Sequence, residues 1–171
     1  SLVHDVQVPA DWKTFATLID KEVFDPNGTN KFAEASLYAW PTDRSTDVNI
    51  RLVITEKGQS SDIAKPLFQW SIESFTRDLP GPENMKVVDL NGDSKQEIFF
   101  LLGVSGSGNI KEWFLIASVD GKLIAAQQLQ IKIPESFGYV VGGNKVELVG
   151  NHIRDTLSLS GGPYFVEYGF D

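Results

Sequence analysis

The chain contains no cysteine, which excludes disulfide staples, thiol nucleophiles, thiol redox catalysis and zinc-thiolate centres. The small disulfide-bonded secreted scaffold is excluded with them, so the fold must be held by an apolar core, with or without a metal. Histidine is nearly as scarce. Only His4 and His152 are present, and a histidine-based zinc site or a catalytic triad would have to draw on His152. Positive charge is also short: 15 Lys and Arg stand against 23 Asp and Glu, a net charge of −8. Such a surface repels phosphate backbones and anionic membranes, so nucleic acid is not an expected partner. Long apolar runs are missing too. The longest, Ile98 to Leu102, has strand length, far from the roughly 18 residues of a spanning helix, so no membrane-spanning segment is expected. The sequence opens on Ser1 rather than Met, as a chain does once an export signal or lipid anchor has been removed.

What is present fits one domain over residues 1–171, long enough to bury about two-thirds of its unfolded surface. Trp12, Phe15, Leu18, Ile19 and Val23 recur at near-helical spacing behind Asp11, a residue suited to N-capping. This predicts one N-terminal amphipathic helix over about 11–24, stopped by the turn cluster Asp25-Pro26-Asn27-Gly28. The period then falls to two, and the region from about 31 to 171 reads as β. Val48, Ile50, Leu52 and Ile54 alternate with Asn49, Arg51, Val53 and Thr55, and Phe68, Trp70 and Ile72 repeat the pattern. Glu97 to Val104 is almost continuously apolar, as a central strand covered on both faces would be. Asp120-Gly121 joins Lys111 to Val119 with Lys122 to Ile133 in a two-residue hairpin. Gly142-Gly143-Asn144 and Gly161-Gly162-Pro163 mark two further hairpin turns, and the weakest boundary lies near Pro80-Gly81-Pro82. The fold class expected is mainly β, with antiparallel sheets and hairpins and one N-terminal helix packed on them.

One segment carries chemistry. Asp89-Leu90-Asn91-Gly92-Asp93-Ser94-Lys95-Gln96-Glu97 places oxygen-bearing side chains at its first, third, fifth and ninth positions and a backbone carbonyl at the seventh. Calcium takes six to eight oxygens at about 2.3 to 2.6 Å, and a curled loop turns alternate residues inward to supply them. Asp89, Asn91, Asp93 and Glu97 are the expected side-chain ligands, with Lys95 giving its carbonyl. An EF-hand is a poor match, with Ser94 at its glycine position and Phe100 at its closing glutamate. The plainer alternative is a hairpin turn at Asn91-Gly92 with Asp89 and Asp93 as turn formers.

Between Met85 and Gln130 the sequence resembles the FG-GAP and VCBS repeat families, whose calcium loops read Asp-x-Asn-Gly-Asp-Gly-x-x-Asp/Glu between two short strands, as in integrin α propellers. Val87-Val88 leads in, Ile98-Phe99-Phe100-Leu101-Leu102 leads out, and Asp120-Gly121-Lys122-Leu123 falls where such blades place their outer hairpin. Ser94 stands where the pattern has Gly, and the motif occurs once. The resemblance implies a blade-like sheet around a calcium loop.

Other candidates are weaker in chemistry. Gly103-Val104-Ser105-Gly106-Ser107-Gly108 is neither a P-loop nor a nucleophile elbow. Glu73, Asp78, Glu112 and Glu167 are the acids from which a glycosidase pair would be drawn. Trp12, Trp70 and Trp113 share phase with apolar neighbours, as core residues do, whereas Trp40 beside Pro41 is the aromatic most suited to an exposed sugar platform. Asn27-Gly28-Thr29 matches a glycosylation sequon. The expectation is a calcium-stabilised, non-enzymatic binding module of the cell envelope or secreted space, contacting a protein or glycan. A secreted hydrolase of polysaccharide or lipid with a structural calcium, and a fragment of a larger β-propeller, are the alternatives.

Overall fold

The structure, a computed structural model, describes residues 3–4, 8–42, 48–59, 65–74, 85–104, 110–127, 136, 138 and 140–169. Twelve strands appear among them: β1 (Val3–His4), β2 (Thr17–Phe24), β3 (Ala33–Pro41), β4 (Val48–Glu56), β5 (Phe68–Ser74), β6 (Met85–Val88), β7 (Glu97–Val104), β8 (Ile110–Val119), β9 (Lys122–Gln127), β10 (Val140–Val149), β11 (His152–Leu159) and β12 (Gly162–Gly169). They form three antiparallel sheets: β1-β5-β4-β3-β2, then β6-β7-β8-β9, then β10-β11-β12.

The second sheet is the middle layer, and its sequence requires that position. On one face Met85, Ile98, Phe100, Leu102, Phe114 and Ile116 meet Phe24, Leu37, Ile50, Leu52, Ile54 and Ile72 of the first sheet in one buried cluster. On the other face Leu90, Phe99, Trp113 and Leu115 meet Ile153 of the third, with Val146, Leu148 and Tyr168 around them. The continuous apolar run of β7 is therefore filled on both sides, as expected for a strand with no solvent face. The alternation of β4 and β5 likewise places Ile50, Leu52, Ile54 and Ile72 inward.

The amphipathic helix predicted over 11–24 is not formed. A single 3-10 turn (Trp12–Thr14) takes its start, with no side-chain cap from Asp11, and β2 takes the rest. The register between β2 and β3 slips between Leu18/Asp20, so that Ile19 is an extra residue in the strand. Leu18 pairs with Tyr38 on the outer face while Ile19 packs on the core, so the apolar spacing that imitates a helical stripe is divided between two faces of a strand. In the strand, Asp20 and Glu22 share with Phe24 the face that their partners Leu37, Ala35 and Ala33 turn to the core. Trp12 instead closes the outer face of the first sheet. It packs edge-on to Tyr38 at 4.9 Å and lies 5.9 Å from Trp40, with the Arg51 guanidinium 5.1 Å from its ring. Trp40 is consequently buried, not the exposed platform its neighbour Pro41 suggested.

Asp120 and Gly121 both have positive φ, 50° and 76°, as the two-residue turn between β8 and β9 demands. The turn at Ser160-Gly161 joins β11 to β12 close to the predicted place. Gly142-Gly143-Asn144 makes no turn: it lies inside β10, at a register shift between Val140/Asn144, and the reversal falls at Gly150-Asn151. Two glycines that read as a loop are here the irregularity that lets Asn144 reach out of its sheet. Residues 80–82, Asp78 and the stretch 105–108 lie outside the described residues, and of the His4 and Glu73 side chains the structure gives nothing.

Asn144 holds the third sheet to the second. The Asn144 amide reaches β8, accepting from Lys111 N at 2.6 Å and donating to Lys111 O at 2.8 Å while also donating to the fully buried Asp155 at 2.8 Å. Replacing Asn144→Ala leaves a backbone donor, a backbone acceptor and a buried carboxylate short of a partner. The expected loss is about 1–3 kcal/mol in urea unfolding; an unchanged midpoint would show that the sheets dock without this amide.

Candidate metal centre

The loop between β6 and β7 is set by its ends. Val88 pairs with Glu97, so residues 89–96 must cross from one strand to the other. Gly92 and Ser94 take left-handed φ of 74° and 68°. Ser94 occupies the position where the resembled pattern has Gly, at a cost of about 1 kcal/mol for a residue with a Cβ. Leu90 is almost wholly buried beside Phe99 and Trp113, anchoring the loop's first turn in the core between the second and third sheets.

The first, third and fifth side chains of the loop bond within the loop itself. Asp89 accepts from Asp93 N at 3.1 Å and Ser94 N at 3.0 Å, and Asp93 accepts from Lys95 N at 2.9 Å. Asn91 Oδ1 accepts from Asp93 N at 3.3 Å and its Nδ2 donates to Asp93 Oδ2 at 3.3 Å. Glu97, buried at the root of β7, accepts from Leu90 N at 2.9 Å. Carboxylate oxygens of Asp89, Asp93 and Glu97 all lie within 4.8 Å of one another. Asn91 joins them through Asp93; Lys95 is tied in by its N–H. At such separations each pair of like charges repels by about 1–4 kcal/mol in a partly screened setting, a cost that a hard cation with several oxygen sites relieves.

Burial pushes the Glu97 carboxyl above its ordinary range, the Leu90 N–H opposes this, and the charges of Asp89 and Asp93 raise it further. A raised folded value means that the fold prefers this group protonated. Its contribution to stability is therefore present in acid and is lost as pH climbs from the unperturbed 4.5 through the folded value. In EDTA, Glu97→Gln should stabilise the chain relative to wild type at neutral pH, and the difference should shrink on acidification. A gap that stays constant with pH in chemical unfolding would contradict this.

Sequence reading missed the partners that fix the loop from outside. Asp25 and Gln96, 71 positions apart, exchange two bonds: Asp25 N donates to Gln96 Oε1 at 2.8 Å and Gln96 N donates to Asp25 O at 2.8 Å. The Asp25 carboxylate gathers Thr29 N and Asn30 N at 3.1 and 2.8 Å. Gly28, at φ 67°, comes so close to the loop that a Cβ there would meet Ser94 O at 3.0 Å. The Asp25-to-Gly28 cluster, read as a helix stop, in fact braces the acidic loop; no local pattern announces a contact made at that separation.

The remaining candidates do not converge. Glu112 alternates with Trp113 and so takes the face of β8 turned to the first sheet, whereas Glu167 lies on the outer face of the third, paired with Arg154 at 2.6 Å. His152, half-buried on β11, lies against Gly169. Asn27 of the sequon is exposed, and its Oδ1 accepts from Ser118 Oγ at 2.6 Å. Among the described residues no helix is long and apolar enough to cross a membrane. Comparison with family models, with curated proteins and with solved structures finds no match.

Proposed function

We propose that this chain is a calcium-stabilised binding module of the secreted space or cell envelope, without catalytic activity of its own, in which Asp89, Asn91, Asp93, Lys95 and Glu97 hold the ion. The observation that carries the reading is the convergence of Asp89, Asp93 and Glu97 oxygens inside 4.8 Å in a loop whose remaining oxygens sit at alternate positions. Support comes also from topology: β6-β7-β8-β9 is a four-stranded meander in chain order with the acidic loop between its first two strands, the arrangement of the resembled repeats. The partner is a protein or glycan met by the loops or by the outer face of the third sheet, where Arg154 covers the exposed Phe165 ring at 5.4 Å.

Calorimetric titration of EDTA-stripped protein with calcium chloride tests it. One site per chain is expected, with magnesium binding more weakly because it demands six-fold geometry and gives up water reluctantly. No heat from calcium at millimolar concentration would sink the reading. A larger β-propeller containing this chain is the second reading, favoured by the stacking of successive antiparallel meanders face to face. In that case the Phe165 face is where the next blade lies, and that face should be protected from hydrogen exchange in a longer chain and open in this one.

A further inference from the structure

We propose that Asn91 is a site of spontaneous deamidation and isoaspartate formation, set apart by the fold from the chain's other Asn-Gly pair at Asn27. The reaction needs only water. The Gly92 nitrogen attacks Asn91 Cγ, a C–N bond forms, the Cγ–Nδ2 bond breaks and ammonia leaves, closing a five-membered imide. Water then opens the ring at Cγ to give aspartate, or at the main-chain carbonyl to give isoaspartate, with no change of oxidation state. Glycine after the asparagine favours ring closure because it has no Cβ to obstruct the approach and adopts the required backbone angles freely.

In an unfolded chain Asn27-Gly28 and Asn91-Gly92 present the same chemistry. The fold treats them differently. The Asn91 amide is held only by its two bonds to Asp93, both at 3.3 Å, beyond the ordinary range for N–H···O. Gly92 stands at φ 74° in open space, with nothing within 4 Å of where a Cβ would be. Asn27, in contrast, receives a short 2.6 Å bond from Ser118 Oγ on β8. Its neighbour Gly28 is wedged against the Ser94 backbone, where an added Cβ would come to 3.0 Å from the carbonyl oxygen. The imide at 27 requires Asn27 to give up a short hydrogen bond and Gly28 to move against the Ser94 backbone, whereas at 91 only the two long bonds to Asp93 are lost and Gly92 is unobstructed.

The products alter the acidic loop. Aspartate at position 91 adds a fourth carboxylate to Asp89, Asp93 and Glu97. Isoaspartate inserts a carbon into the main chain, and oxygens that were spaced by alternate residues lose their common direction.

The test follows the full chain in EDTA at physiological temperature in mildly alkaline buffer, sampled over days, with a parallel sample in guanidinium chloride. Proteolysis and mass spectrometry measure deamidation of the two peptides, and methylation by an isoaspartyl methyltransferase counts the isoaspartate. In denaturant the two pairs should react at similar rates. In the folded protein Asn91 should outpace Asn27 at least several-fold, and Asn91→Gln, which can close only a slower six-membered ring, should remove the label from that peptide alone. Equal folded rates, a faster Asn27, or a label persisting in Asn91→Gln overturns the proposal. Because no arm contains calcium, its outcome is independent of metal binding.

Discussion

Removing calcium with EDTA should lower the unfolding free energy by about 2.7 kcal/mol relative to the same protein at a hundredfold excess of the ion over Kd. For a chain of this length that corresponds to roughly 5–11 °C in melting temperature. The whole effect should reach global stability because the loop is not a loose appendage. It closes the Val88 to Glu97 pair, sinks Leu90 into one core and grips Asp25, just past the end of β2, through Gln96. Asp89→Ala combined with Asp93→Ala should abolish the shift altogether. The same double variant still responding to calcium would place the ion elsewhere, and a wild-type melt indifferent to EDTA would remove the ion from the account.

Phe100→Ala should cost about 3–5 kcal/mol, the range for deleting a buried aromatic ring whose surroundings close only partly. Phe100 is fully buried, stacks on Phe114 at 5.2 Å from the adjacent strand and meets Trp70 of the first sheet at 5.6 Å. The three rings join two sheets, so the void lies where neither sheet alone can move to fill it. Phe165→Ala, on the open face of the third sheet and 60% exposed, is the matching control and should change stability by less than about 0.5 kcal/mol. Urea unfolding of both variants reads the contrast. A loss below about 1 kcal/mol at Phe100 would mean that the first two sheets do not pack through this ring.

Much of the layering was legible because each apolar pattern had one geometric reading. Alternation in Val48 to Ile54 marked the face that meets the middle layer, though not the burial of Val53 under Trp12 and Trp40 on the other, and the unbroken run after Glu97 allowed only burial on both. Asp120-Gly121 was legible for a similar reason, since two residues with positive φ fit there and little else does. The convergence of Asp89, Asp93 and Glu97 could be read because the three acids are local, spaced by four residues in one loop. The helix over 11–24 misled because a bulge at Ile19 shifts the strand's phase by one residue, and a shifted period of two passes for a period near three and a half. Trp40 misled because its cover, Trp12, arrives from 28 positions away, and the bracing of the loop by Asp25 spans 71. Contacts of that kind leave no trace in local spacing.

The double-sided middle layer bears on how the chain is made. During synthesis the first two sheets emerge before β10, β11 and β12, and at that stage Phe99, Trp113 and Leu115 lack the cover that Ile153, Val146, Leu148 and Tyr168 give them. A product ending before residue 140 would carry an apolar sheet face into solution, where like faces find one another.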